Sequence, residues 1–283
     1  PGAGRRRGLW DIRETHLNDL AVEVGAMTGH VGDEVNRVTN EFPAVTPPAE
    51  LVGRNTGALA TDPHGCTGIA AFHAFDADNA VTATATIDFG AIGGTVQDAI
   101  NAVNAGLGGQ GTLSLSNGVM TFAAAGAATG VAVQQDATTP SDNGGRGFAH
   151  RFGLNDLVST GTGPNFDTGL TAAPTHGFTG EITLSRVGPA NQRAITSTVD
   201  MAAIGGTVGD LVAQLNTNFS GLVNFSLDSA GKLSATPASV AISFRLAVLA
   251  DDTTRGTTGV SAADLFGLGS ASVAGIASGF EIA

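Results

Sequence analysis

A chain of 283 residues that is 42% apolar has enough core material to exclude global disorder. Its composition is nevertheless unusual: 41 Gly, no Tyr, one Trp and only 13% charged residues, against about 25% in average proteins. The formal charge of −12 argues against nucleic-acid phosphates and anionic membranes as partners, and the single Cys66 rules out an intramolecular disulfide. No run of about 18 apolar residues is present to span a bilayer, so no membrane insertion is expected. The opening PGAGRRRGLW lacks the apolar stretch of a secretory signal, and Pro1 in place of Met suggests a fragment or processed chain.

Residues 1–42 read as one long helix. Between Leu9 and Phe42 there is no Pro, and large or apolar residues recur in steps of four and three. Seven of them, Ile12, Leu20, Val24, Met27, Val31, Val35 and Val38, form a seam narrow enough for coiled-coil packing, which needs a partner helix. Asp11, Arg13, Glu14, Asp19, Glu23, Asp33, Glu34 and Arg37 are expected on the opposite, solvated face.

Pro43, Pro47 and Pro48 then stop the helix, and 43–63 reads as a Pro/Gly-rich linker. Beyond it the chain repeats itself. His64-Gly65-Cys66-Thr67-Gly68 returns as His176-Gly177-Phe178-Thr179-Gly180, and TATIDFGAIGGTVQDAI at 84–100 returns as TSTVDMAAIGGTVGDLV at 196–212, both 112 residues later. Thr95 with Asp98, and Thr207 with Asp210, have the spacing of a capping box that opens a helix. Apolar positions follow at helical spacing, Val96, Ala99, Ile100 and Val103 against Val208, Leu211, Val212 and Leu215. Each helix leads into alternating, strand-like segments around a turn, Asn117-Gly118 in the first copy and Ala230-Gly231 in the second. The copies close alike, in HRFGLNDL at 150–157 and DLFGLGSA at 264–271. The expected architecture is α+β: a long N-terminal helix, then two tandem β-rich α+β domains related by duplication, at 64–158 and 176–283, joined by a linker at 159–175.

Chemistry is harder to find. Gly106-x-Gly108-x-x-Gly111 matches a dinucleotide fingerprint by letter, but it leaves a helix and enters a strand, the reverse of the order that seats a pyrophosphate. Gly106 reads instead as a helix-ending glycine. Asp76, Asp78 and Asn79 begin like a calcium loop, yet Ala80 and Val81 stand where further pattern residues belong. The histidines His16, His30, His64, His73, His150 and His176 show no metal-ligand spacing, and no Gly-x-Ser-x-Gly elbow occurs. Cys66 corresponds to Phe178 in the second copy, which marks a packed apolar position. Arg5-Arg6-Arg7 reads as a solvated end. No catalytic, cofactor-binding or metal-binding residues are therefore assigned, no cofactor is expected, and the chain does not read as an enzyme.

The residues Gly8-Leu9-Trp10-Asp11-Ile12-Arg13-Glu14-Thr15-His16-Leu17-Asn18-Asp19-Leu20, followed by Asp33-Glu34-Val35-Asn36-Arg37-Val38, resemble the flagellar hook-associated protein 1 (FlgK) family. That family carries a G-x-L-x-x-R-[DE]-x-x-L-P-x-L helix, from which Trp10 and Asn18 depart. The repeated unit, with Thr95-x-x-Asp98-x-Ile100-Asn101 before a Gly turn and a strand pair, is similar to insert modules of flagellin and filament-cap proteins. The resemblance implies a structural protein of the bacterial flagellum at the hook–filament junction, extracellular and exported through the flagellar secretion system. It implies as partners the hook protein and other hook-associated or filament proteins, self-association in a helical assembly, and an export chaperone acting through a C-terminal segment. The family's terminal coiled-coil segments are absent from both ends, so the match is to a central portion. A surface adhesin or carbohydrate-binding module is the alternative, and the absence of aromatic platforms from the repeats disfavours it.

Overall fold

The computed structural model describes residues 4, 16–44, 46–160, 166–188, 193–238 and 244–282. It is mixed α+β. The N-terminal helix α1 runs Leu17–Glu41 and ends where Phe42 turns to extended backbone ahead of Pro43. The expected helical stretch before His16, with Ile12 of the seam and Trp10 of the family motif, lies outside the described residues.

After α1 come β1 (Glu50–Asn55), β2 (Ile69–Phe75), β3 (Val81–Asp88) and the helix α2 (Val96–Leu107). Then follow β4 (Gly111–Ser116), β5 (Val119–Ala124), β6 (Gly130–Gln135) and the short α3 (Phe148–Phe152). These strands form two antiparallel three-stranded sheets, in the orders β3-β2-β6 and β1-β5-β4. Their inner faces, with the apolar stripe of α2, enclose Phe72, Phe89, Phe122, Phe148 and Phe152. Phe72 meets Phe122 and Phe148 edge-on, each pair with ring centroids 5.6 Å apart. Asn117 and Gly118 both have positive φ, the turn that an Asn-Gly pair favours between twisted strands, and it joins β4 to β5.

The second half lays down β7 (Val158–Ser159), β8 (Phe178–Thr179), β9 (Glu181–Val187), β10 (Arg193–Asp200) and α4 (Val208–Asn218). β11 (Val223–Leu227), β12 (Leu233–Pro237), β13 (Arg245–Asp251), β14 (Thr254–Arg255) and α5 (Ala262–Phe266) follow, and α6 (Gly269–Ser278) and β15 (Glu281–Ile282) close the chain. A sheet ordered β10-β9-β13 and a β11-β12 hairpin cover a second core that includes Leu184, Val199, Leu211, Leu215, Phe219 and Phe266.

Local contacts recur from half to half. Thr95 Oγ1 accepts from the Asp98 amide at 3.1 Å while Asp98 Oδ2 accepts from the Thr95 amide at 3.0 Å, and Thr207 and Asp210 repeat both distances. Asn104 exchanges two hydrogen bonds with the backbone of Leu113, as Asn216 does with Phe225. The Cys66 amide donates to His64 Nδ1, and the Phe178 amide to His176 Nδ1. Both halves stop a short helix on a left-handed glycine, Gly153 and Gly267.

Four expectations need correction. The segment 43–63 is more than a linker: β1 pairs with β5, and Leu51 and Ala58 enter the first core, because burying an edge of the sheet offsets the cost of ordering the strand. Within 159–175, Leu170 belongs to the second core. The last part of 176–283 leaves that region: α6 packs against α1 and β15 pairs with β7. Finally, Gly108, with φ of 57°, ends α2; Gly106 lies inside its last turn, where a Cβ would strike that of Ala85 on β3.

Candidate functional site

α1 has two faces of opposite character. The face turned inward carries Gly25, Gly29, Gly32, Asp33, Asn36 and Asn40, all buried. At its N-terminal end the packing is steric. The backbone of α6 comes so close that a Cβ on Gly25 would run into the Val273 carbonyl. Towards the C-terminal end the contact becomes polar. Asn36 Oδ1 accepts from the amides of Leu157 and Val158, both at 2.9 Å, and Asn36 Nδ2 donates to the Val158 carbonyl at 2.8 Å. One side chain thereby replaces a strand's ladder partners for the segment at β7. Asn40 Oδ1 accepts from the Asn155 amide and its Nδ2 donates to Asp156, which also pairs with Arg54 at 2.6 Å.

Asp33 overturns its expected place on a solvated face. Its carboxylate is buried, accepting from His150 Nε2 and from Arg146, each at 3.1 Å. Burial alone would push the Asp33 carboxyl up, but the hydrogen bond from His150 and the charge of Arg146 outweigh it and hold it at about 2. Helical spacing puts Asp33 among charged neighbours in sequence; the basic groups that receive it come from α3 and the loop before it, more than a hundred residues away.

The outward face holds the predicted seam. Leu17, Leu20, Val24, Met27, Val31 and Val38 are 40–62% exposed, and Val35 is half-buried. Leu17, Val24, Val31 and Val38 stand seven residues apart, with Leu20 and Met27 between them, so the first two turns of the pattern satisfy both core positions of a heptad. Glu34 and Glu41 take the later positions and hold Arg37 between them at 3.0 and 2.6 Å. Soluble monomers rarely leave a continuous apolar stripe in water, which marks this face as an interaction surface. Leu17, although next to the seam, is missed by a pattern traced through His16; a strict seven-residue count would have found it.

The other chemical candidates resolve into structure. Asp76 Oδ1 accepts from the amides of Asp78 and Ala80, closing the β2–β3 turn with Asn79 in the left-handed region. Cys66 is buried, and burial pushes its thiol up to about 11, far from a reactive thiolate. His64 and His176 are pushed below the ordinary imidazole value by burial, which suits the acceptor role of their Nδ1 atoms. Among the described residues, no group of three or more His, Cys, Asp or Glu is disposed to hold a metal ion, and no helix is long and apolar enough to cross a membrane.

No protein-family model matches this chain, and no curated protein matches it.

Proposed function

We propose that this chain is a structural segment of the bacterial flagellum, of the hook-associated kind, whose α1 seam packs against amphipathic helices of an axial assembly. The observation that carries the reading is the exposed heptad stripe on a helix whose other face is already fixed to its own chain by Asp33, Asn36 and Asn40. Such a helix is a rigid ridge with its apolar edge presented for docking, and it needs no hinge or cofactor to act. The family motif beginning at Gly8 supports the same reading, as do the Gly/Thr-rich repeats standing apart from the seam. Extracellular location, export through the flagellar system, and partnership with hook, hook-associated and filament proteins belong to this proposal. So does duplication of one module, supported by the capping boxes, the Asn104 and Asn216 clamps and the His turns recurring 112 residues apart.

The test is Val31→Asp in the full-length protein, produced in cells lacking the native copy and scored for secretion and for filaments by electron microscopy. A charge buried unpaired in a helix interface costs several kcal/mol. Secreted, folded protein without attached filaments is the expected result; normal filaments would refute the reading.

A further inference from the structure

A cavity of about 240 Å³ opens between the two halves of the molecule, and four guanidinium groups reach its wall, those of Arg54, Arg146, Arg151 and Arg255. In a chain with thirteen basic residues and a net charge of −12, that concentration calls for an account of its counter-charges. Arg255 is fully buried and binds Asp62 through two bonds, at 2.7 and 2.8 Å. Arg54 holds Asp156 at 2.6 Å, and Arg146 holds Asp33 and Asp167, each at 3.1 Å.

Arg151 is different. Among the described residues it has no carboxylate within ion-pair distance, and its hydrogen bonds go to the main-chain carbonyls of Pro63, His64 and Thr168. Its guanidinium lies over the Phe152 ring, 5.5 Å from the centroid. Burial pushes its pKa down; Asp62, already committed to Arg255, opposes this, and the like charge of Arg146 adds to it. A part-buried cation with neutral partners is an electrostatic deficit that an incoming anion can relieve.

We infer that this cavity is a binding site for a small free carboxylate, held by Arg151. The size excludes drug-sized ligands, whose pockets begin near 300 Å³. The chemistry of the wall is two-sided, with the planar guanidinium matched to a carboxylate's two oxygens and Leu170, Val260 and Leu265 offering contact to a short hydrocarbon body. Asp167 and Asp264 also line the cavity, so a ligand carrying one negative charge is favoured over phosphate or a dicarboxylate.

Butyrate is the probe, titrated into the protein by calorimetry at constant ionic strength, with butyramide and inorganic phosphate as comparison arms. Saturable millimolar binding of butyrate, at least tenfold weaker binding of butyramide and phosphate, and a tenfold or greater loss in Arg151→Met are expected. Because Arg151 also ties down three carbonyls, Val260→Trp, which fills the cavity and leaves Arg151 in place, provides a second variant; it too should lose binding while circular dichroism stays native. If wild type shows no saturation at 100 mM, if butyramide or phosphate binds as well as butyrate, or if a folded variant binds like wild type, the inference is wrong.

Discussion

The two halves of the molecule reach the same sequence stop, Phe-Gly-Leu at 152–154 and at 266–268, and then do different things with it. In each, the glycine adopts the left-handed conformation and the following leucine amide bonds back into the short helix, Leu154 to Ala149 and Leu268 to Ala263. After the first stop, Asn155 and Asp156 grip the C-terminal part of α1 through side-chain hydrogen bonds. After the second, Gly269 opens α6, which lies against the glycine face at the N-terminal part of α1. One local signal thus serves two docking mechanisms, one polar and one steric. The difference lies in the two residues after the leucine, since Asn-Asp competes for backbone partners outside a helix whereas Gly-Ser permits a new helix to start.

The largest effect should come from the steric contact. Gly25→Val puts a branched side chain against the α6 backbone and should destabilise the fold by about 3 kcal/mol, although the same change at an exposed helix site would be mildly stabilising. Urea unfolding measures it, and loss of amide protection confined to α1 and α6 would localise the damage. Asn36→Ala attacks the polar contact. It leaves the Leu157 and Val158 amides without their acceptor and should cost about 2 kcal/mol, with faster exchange of those two amides as its signature.

Acid should break the polar contact selectively. The Asp33 carboxyl has a folded pKa lowered to about 2 from 3.8, so its contribution is fully present above pH 4 and disappears as the pH falls through about 2. That shift corresponds to about 2 kcal/mol, and stability followed by denaturant melts from pH 5 to pH 2 should lose this amount in wild type but not in Asp33→Asn. The smallest effect belongs to the outward face. Val31→Asp in the isolated chain should change stability by less than about 0.5 kcal/mol, because the side chain already stands in water. Its cost should emerge only in the assembly, and a large loss in the isolated chain would mean that the stripe is covered in solution.

Much of this was legible in the residues. The capping boxes, the apolar positions of α2 and α4, the Asn-Gly hairpin and the heptad stripe are local patterns, in which each residue's partner lies within a few positions along the chain and periodicity reports the geometry directly. The role of the inward face of α1 was not legible. Gly25, Gly29, Asn36 and Asn40 carry no apolar period, and Asp33 reads as a surface charge until Arg146 and His150 are brought to it by the tertiary fold. The same holds for β1, hidden among prolines and glycines until β5 offers it an edge, and for the cavity, whose arginines come from both halves. Sequence alone determined which segments are helix or strand and which stripe of α1 is apolar. Only the tertiary structure decided which face of that helix is spoken for, because close backbone approach and buried ion pairs depend on groups that are distant in the chain and adjacent only after folding.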